Sequence, residues 1–204
     1  MSQRKNKNSY SGSMVYKLFY LILFSGLISV SGCAVSPQAI SLNPSVTVEK
    51  KDIGQSRSVD LKVVDERPSK VLGTRGGIYS DTALLTIDGG PEEPIRQELA
   101  GALSGYGFSV ANAYETDIDM TVYVETLGYE ISGEKYPKVI KNNILLRVEC
   151  NKKGEKFTSK YSANVEEEVL ITPLASQNEK MINKIVSKAL SAVIEDEKLL
   201  NFLN

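Results

Sequence analysis

Three consecutive stretches of strict alternation constrain this chain more than any other feature. Ile118, Met120, Val122 and Val124 are interleaved with Asp119, Thr121, Tyr123 and Glu125. Ile144, Leu146, Val148 and Cys150 are interleaved with Leu145, Arg147 and Glu149, and Phe157, Tyr161, Ala163 and Val165 share one side of a third run. A side-chain period of two is the mark of a strand with one face in a core and the other in water. The last two runs are joined by the short turn Asn151-Lys152-Lys153-Gly154, so the three form an antiparallel meander with one wet face.

Such a sheet needs a cover, and the chain supplies two amphipathic helices. Ile95, Leu99, Ala102, Leu103 and Tyr106 fall at helical spacing behind Pro91 and Pro94. Glu92 and Glu93 suit the positive end of that helix, and Gly105 and Gly107 close it. Later, Met181, Ile182, Ile185, Val186, Ala189, Leu190, Val193 and Ile194 form a broad apolar stripe behind a capping-box pattern at Ser176 and Glu179, with Leu199, Leu200, Phe202 and Leu203 extending it. Two helices on one face of an antiparallel sheet make an α+β layer structure. Val59, Leu61 and Val63 begin it with a half-buried strand, and Thr82–Ile87 adds a short one. The expected organisation is a single domain over 59–204. Residues 33–58, rich in Ser and Pro and without a sustained period, read as a tether with a short strand at Ser45–Val48. Fully extended, that tether would reach about 80 Å.

The amino-terminal region has a different character. Four of the 24 basic residues (Arg4, Lys5, Lys7, Lys17) lie in the first 32 residues, which hold no acidic residue. The 13 residues Leu18–Val30 that follow Lys17 carry no charge. As a helix this run is about 20 Å long, short of the roughly 30 Å hydrocarbon core, so it reads as the apolar region of a signal peptide over residues 1–32. Met14 is an alternative start to Met1, since a complete signal begins there. Val30-Ser31-Gly32-Cys33 is similar to the bacterial lipobox, in which the cysteine thiolate accepts a diacylglyceryl group as a thioether. Cys33 is therefore the expected lipid attachment residue, and the membrane, through acyl chains, its expected partner. The other reading makes Cys33 an incidental residue at the end of an uncleaved anchor. By the sorting habit of enteric-like bacteria, Ala34 in place of an aspartate implies the outer membrane, facing the periplasm, rather than retention at the inner membrane.

Charge and residue usage restrict the chemistry. Beyond the first 32 residues, the remaining 20 basic and 25 acidic residues leave a net charge of −5, which argues against nucleic acid as a partner. The absence of histidine removes Ser-His and Cys-His nucleophilic systems and imidazole zinc sites, and no catalytic residue, cofactor or metal site is expected. Asp65 and Arg67 flank one residue at a strand end and read as a structural ion pair more readily than as a ligand site. The glycine-rich GTRGG, Gly73–Gly77, lacks the Gly-Lys-Ser/Thr ending of a phosphate loop. Glu166, Glu167 and Glu168 would point alternately on a strand and so read as solvated charge. Cys150 shares a face with Val148, which makes it a buried, inert thiol. Tyr123, Tyr129 and Tyr136 cluster around one hairpin; they are a candidate partner surface if exposed, or cover for the sheet edge if not.

Taken in order, these features resemble the YajG family of uncharacterised bacterial lipoproteins. The resemblance rests on the Val30–Cys33 lipobox, Asp65-x-Arg67 after a strand, GYGF at Gly105–Phe108, YSANVE at Tyr161–Glu166 and LNFL at Leu200–Leu203. It implies a lipid-anchored envelope protein without established enzymatic activity, and it supplies no catalytic residue. The function expected is non-enzymatic: a periplasmic domain that binds or scaffolds another envelope component. The alternative is a carrier holding an apolar ligand between sheet and helices.

Overall fold

The three alternating runs become three strands of 15 residues each, and everything else is arranged on them. The computed structural model describes residues 36–76, 80–110, 116–133 and 137–204. In chain order its strands and helices are β1 (Gln38–Ile40), β2 (Ser58–Asp65), β3 (Val71–Thr74), β4 (Leu84–Ile87), α1 (Glu92–Gly105), β5 (Ser109–Val110), β6 (Ile118–Ser132), β7 (Lys138–Lys152), β8 (Glu155–Val169), α2 (Ala175–Ile194) and α3 (Glu197–Leu203). The architecture is α+β, an open sheet of eight strands with helices packed on its apolar face.

The β6-β7-β8 meander is antiparallel throughout. Its β7–β8 turn has two central residues, Lys153 (φ 51°) and Gly154 (φ 90°), both in the left-handed region that a two-residue I′ turn requires. The sheet as a whole is mixed, however, and not a pure meander. β2 runs parallel to the first half of β6, β3 meets its second half at Gly73–Tyr129, β4 lies antiparallel to β3, and β1 lies parallel to β4. Alternation identifies a strand but not its partner, and the helical crossover through α1 is what allows β2 and β6 to lie parallel.

Midway along β6 a bulge interrupts the register. Val124 pairs with Leu146 and Thr126 with Leu145, so Glu125 is the extra residue. Its effect is to exchange the two faces. Ile118, Met120, Val122 and Val124 point into the core before it, and Leu127 and Tyr129 after it. The bulge falls where β2 ends and β3 takes over as the neighbour of β6.

α2 lies over β7 and β8, and α1 over β2 and β5. Between the layers Ile144, Leu146, Val148, Ile182, Ile185 and Val186 are all at most 1% exposed. At about 1.5–3 kcal/mol for each such side chain, this layer is the main source of stability. α2 begins two residues earlier than the Ser176–Glu179 pattern suggests, with Leu174 and not Ser176 as the N-cap. Its first-turn contact is the Leu174 backbone N–H donating to Gln177 Oε1 at 2.8 Å, because Leu174 is already extended and Ala175 helical.

The expected tether over 33–58 is overturned from Gln38 onward. Gln38–Ile40 joins the sheet, and Ser45–Val48 forms no strand. Beyond β1 the extended chain lies along α2: the backbone N–H groups of Ser41, Asn43 and Ser45 donate to Glu179 Oε2, Asn183 Oδ1 and Ser187 Oγ. Two residues of extended chain advance about 6.6 Å and four residues of helix about 6 Å, so alternate amides meet every fourth helical side chain. Farther on, Gly54 and Ser56 donate to the carbonyls of Tyr106 and Gly107 at the end of α1.

Candidate functional site

Cys33 lies outside the described residues, which begin at Ser36. What the structure does locate is the edge of the domain from which the chain runs back toward that cysteine. Arg75, just after β3, donates from Nη1 to the Ser36 carbonyl at 3.0 Å and from Nη2 to the Pro173 carbonyl at 3.2 Å. One guanidinium thus clamps the start of the described chain to the β8–α2 loop. In that loop, beyond the last strand residue Val169, the alternation of β8 breaks off: Leu170 and Ile171 are consecutive apolar residues, and Pro173 precedes the extended Leu174 that opens α2. Leu170, Ile171 and Leu174 are 76%, 67% and 64% exposed. Beside them a cleft of about 480 Å³ opens between the end of β8 and the first turns of α2, with Val169 and Met181 in its wall and Lys180 and Lys184 at its rim. Sequence reasoning passed over this loop; two adjacent apolar residues at the end of a period-two run were the available signal.

Asp65 and Arg67 stand at the end of β2, where their side chains are buried at 1% and 3% exposure. Arg67 donates from Nε to Asp65 Oδ1 at 2.8 Å and from Nη2 to Oδ2 at 2.9 Å, a bidentate pair, while Lys70 Nζ reaches Oδ2 at 2.7 Å. Burial disfavours the carboxylate, but the hydrogen bonds from Arg67 and Lys70 outweigh it and hold the Asp65 carboxyl well below its ordinary range. Nη1 of Arg67 has no hydrogen-bond partner among the described residues. The pair closes on itself and leaves neither carboxylate oxygen free of a cation.

The three tyrosines do not form one exposed patch. Tyr129 is only 3% exposed, and its hydroxyl donates to Asn178 Oδ1 at 3.1 Å. Burial pushes that phenol up to about 12. The bulge at Glu125 is the reason, since unbroken alternation would have left Tyr129 in water. Tyr123, before the bulge, lies on the wet face under the Arg147 guanidinium, 3.9 Å from its ring centre. Tyr136 lies outside the described residues.

The remaining motifs have structural partners. Asn178 donates to Gln38 Oε1, and Gln38 to the Ala175 carbonyl, which ties β1 to α2 through buried amides. Asn142, opposite Tyr129 on β7, is 2% exposed, and neither of its side-chain polar atoms has a partner among the described residues. Gly73 brings β3 so close to β6 that a Cβ there would stand 1.7 Å from the Tyr129 carbonyl oxygen, which accounts for one glycine of the GTRGG stretch. Glu166 pairs with Lys141 across the sheet and Glu167 with Lys184 on α2, so these two carboxylates diverge. Cys150 is 3% exposed, and burial raises its thiol to about 12. Among the described residues no group of three metal-ligating side chains converges, and no helix is long and apolar enough to cross a membrane.

A family model described as uncharacterized lipoprotein, Lipoprotein_16, matches residues 44–204, nearly all of this domain. The chain belongs to this YajG-like lipoprotein family. Its fold also matches a Xanthomonas campestris protein of family DUF330, with a TM-score of 0.51 and 10% identity over 82% of this chain and 97% of that one. A lipoprotein from Neisseria meningitidis aligns more loosely, with a TM-score of 0.36 and 12% identity over 67% of this chain and 97% of its own. At 10% identity the likeness to the Xanthomonas protein is one of fold. No similar sequence is found among curated proteins. The lipoprotein family thus accounts for the domain, while Val30–Cys33 lies ahead of the matched residues.

Proposed function

We propose that the protein is a lipid-anchored lipoprotein of the outer membrane, acylated at Cys33, whose domain faces the periplasm and binds or scaffolds another envelope component without catalysis. The observation that carries this reading is the placement of Val30-Ser31-Gly32-Cys33 a short way ahead of a domain that matches a lipoprotein family from residue 44 onward. Two or more acyl chains, at about 0.8 kcal/mol per buried methylene, make such an attachment effectively permanent. Anchoring raises the effective concentration of the domain at the membrane, so that weak contacts suffice for binding. Ala34 behind the cysteine supports the outer-membrane destination. The mutual neutralisation of Asp65 and Arg67 supports binding over catalysis, since the most deeply buried charges are engaged with each other. An apolar ligand carried between sheet and helices would have to displace Ile144, Leu146, Ile182 and Ile185, which already fill that layer.

Cells fed labelled palmitate provide the test. The wild-type protein takes up label and fractionates with outer membranes, whereas Cys33→Ser does neither. Equal labelling of both, or a mature chain starting elsewhere than at Cys33, overturns the reading. Crosslinking of the lipidated protein in intact envelopes then identifies the component it binds; recovery of lipid alone overturns the scaffold.

A further inference from the structure

We infer that the β8–α2 loop, through Leu170, Ile171 and Leu174, is a bilayer-docking surface that stands the domain upright on the membrane carrying its anchor. The inference rests on acylation at Cys33 and adds an orientation to it. Cys33 precedes Ser36 by three residues, a reach of about 11 Å. Ser36 is held beside Pro173 by the Arg75 guanidinium. Acyl chains on Cys33 therefore enter the bilayer next to this loop and cannot hold the domain far above it. Among the described residues Val64 is the one other large apolar side chain that is exposed, at 39%, and the three most exposed all lie in this loop. Apolar side chains beside a lipid anchor bury themselves in the acyl boundary, as on interfacial protein surfaces in general. Lys180, in the adjoining cleft, brings a cation to the level of the lipid phosphates, while Lys184 beside it is already paired with Glu167.

The long hairpin sets the other end of the molecule. β8 runs 15 residues from Glu155 to Val169, so the Lys153–Gly154 turn lies about 50 Å from the docking loop. The domain then presents that turn outward, away from the lipid.

The test uses the full lipidated protein in phospholipid vesicles containing doxyl-labelled lipid. An environment-sensitive fluorophore is attached at Ile171→Cys or at Lys153→Cys; Cys150 is buried and does not compete. The Ile171→Cys label shifts to the blue and is quenched by the doxyl lipid, while the Lys153→Cys label does neither. Leu170→Ser with Leu174→Ser releases the Ile171→Cys label from quenching, although the protein still sediments with the vesicles. A protein that sediments while its Ile171→Cys label stays unquenched overturns docking and leaves the anchor intact. Failure of the wild-type chain to sediment overturns both. A blue shift that grows with protein concentration without vesicles, from a second copy on the loop, also overturns docking.

Discussion

The side-chain amide of Asn183 takes the place of a neighbouring strand for Asn43. Its Oδ1 accepts the Asn43 backbone N–H at 2.5 Å, and its Nδ2 donates to the Ser41 carbonyl at 3.0 Å. One side chain on α2 thereby satisfies a donor and an acceptor of an extended segment that has no strand on that side. This contact is part of what shortens the link between the folded domain and Cys33.

Asn183→Ala removes both bonds. Each is solvent-accessible and worth about 1 kcal/mol, so the domain remains folded. Amide hydrogen exchange at Ser41–Ser45 rises and proteolysis in this segment begins, while exchange in β6 to β8 is unchanged. Protection that persists at Asn43 would show that Glu179 and Ser187 hold the segment without Asn183.

Asp65→Asn leaves the buried Arg67 guanidinium without its counter-charge. Breaking one partner of a buried pair costs about 3–5 kcal/mol. In a domain of this size that corresponds to a melting temperature lower by roughly 10 °C, measurable by calorimetry. Arg67→Met lowers it too, and the double variant loses less than the sum of the two.

Acid weakens the same pair. The Asp65 carboxyl is depressed below its ordinary value of 3.8 in the folded state. Its contribution to stability is complete above that value and is lost progressively as pH falls below it. Urea midpoints measured from pH 5 down to pH 2 decline in the wild-type protein. In Asp65→Asn the decline is shallower.

Asn142→Leu is expected to stabilise the domain. Both polar atoms of Asn142 are buried without partners, and removing such a group recovers about 1–3 kcal/mol of desolvation. The neighbours Tyr129 and Val165 offer an apolar setting. A melting temperature several degrees higher by circular dichroism is the predicted result; a lower one would reveal an ordered water bound to Asn142.

Cys150 resists thiol reagents. Its thiol is buried and raised to about 12, so almost no thiolate exists at neutral pH. In the Cys33→Ser chain a chromogenic disulfide reagent reacts only after denaturant is added, and then with one equivalent.

The alternating runs and apolar stripes were legible because burial imposes a period on side chains one residue at a time. They predicted β6, β7, β8, both amphipathic helices and the buried place of Cys150. Asp65 and Arg67 were legible as neighbours by their spacing of two at a strand end. Tyr129 was left open between an exposed patch and a sheet edge because the bulge was not read, although the shift of apolar positions from even numbers up to Val124 to odd numbers from Leu127 marks it. The docked segment Gln38–Ser56 was read as a tether because its hydrogen bonds go to helix side chains and loop carbonyls, which demand no apolar period.

By itself the amino-acid sequence determined the layer type, the core faces of β7, β8 and the first half of β6, and the position of the lipobox-like Val30–Cys33, all of which depend on local order along the chain. Only the tertiary structure decided which strands lie parallel, how short the link to Cys33 is, and that Ser36, Arg75 and Leu170–Leu174 share one edge. Those relationships join residues up to about 140 positions apart, and contacts at such separations are set by which surfaces meet when the layers close, not by any pattern within a window of sequence.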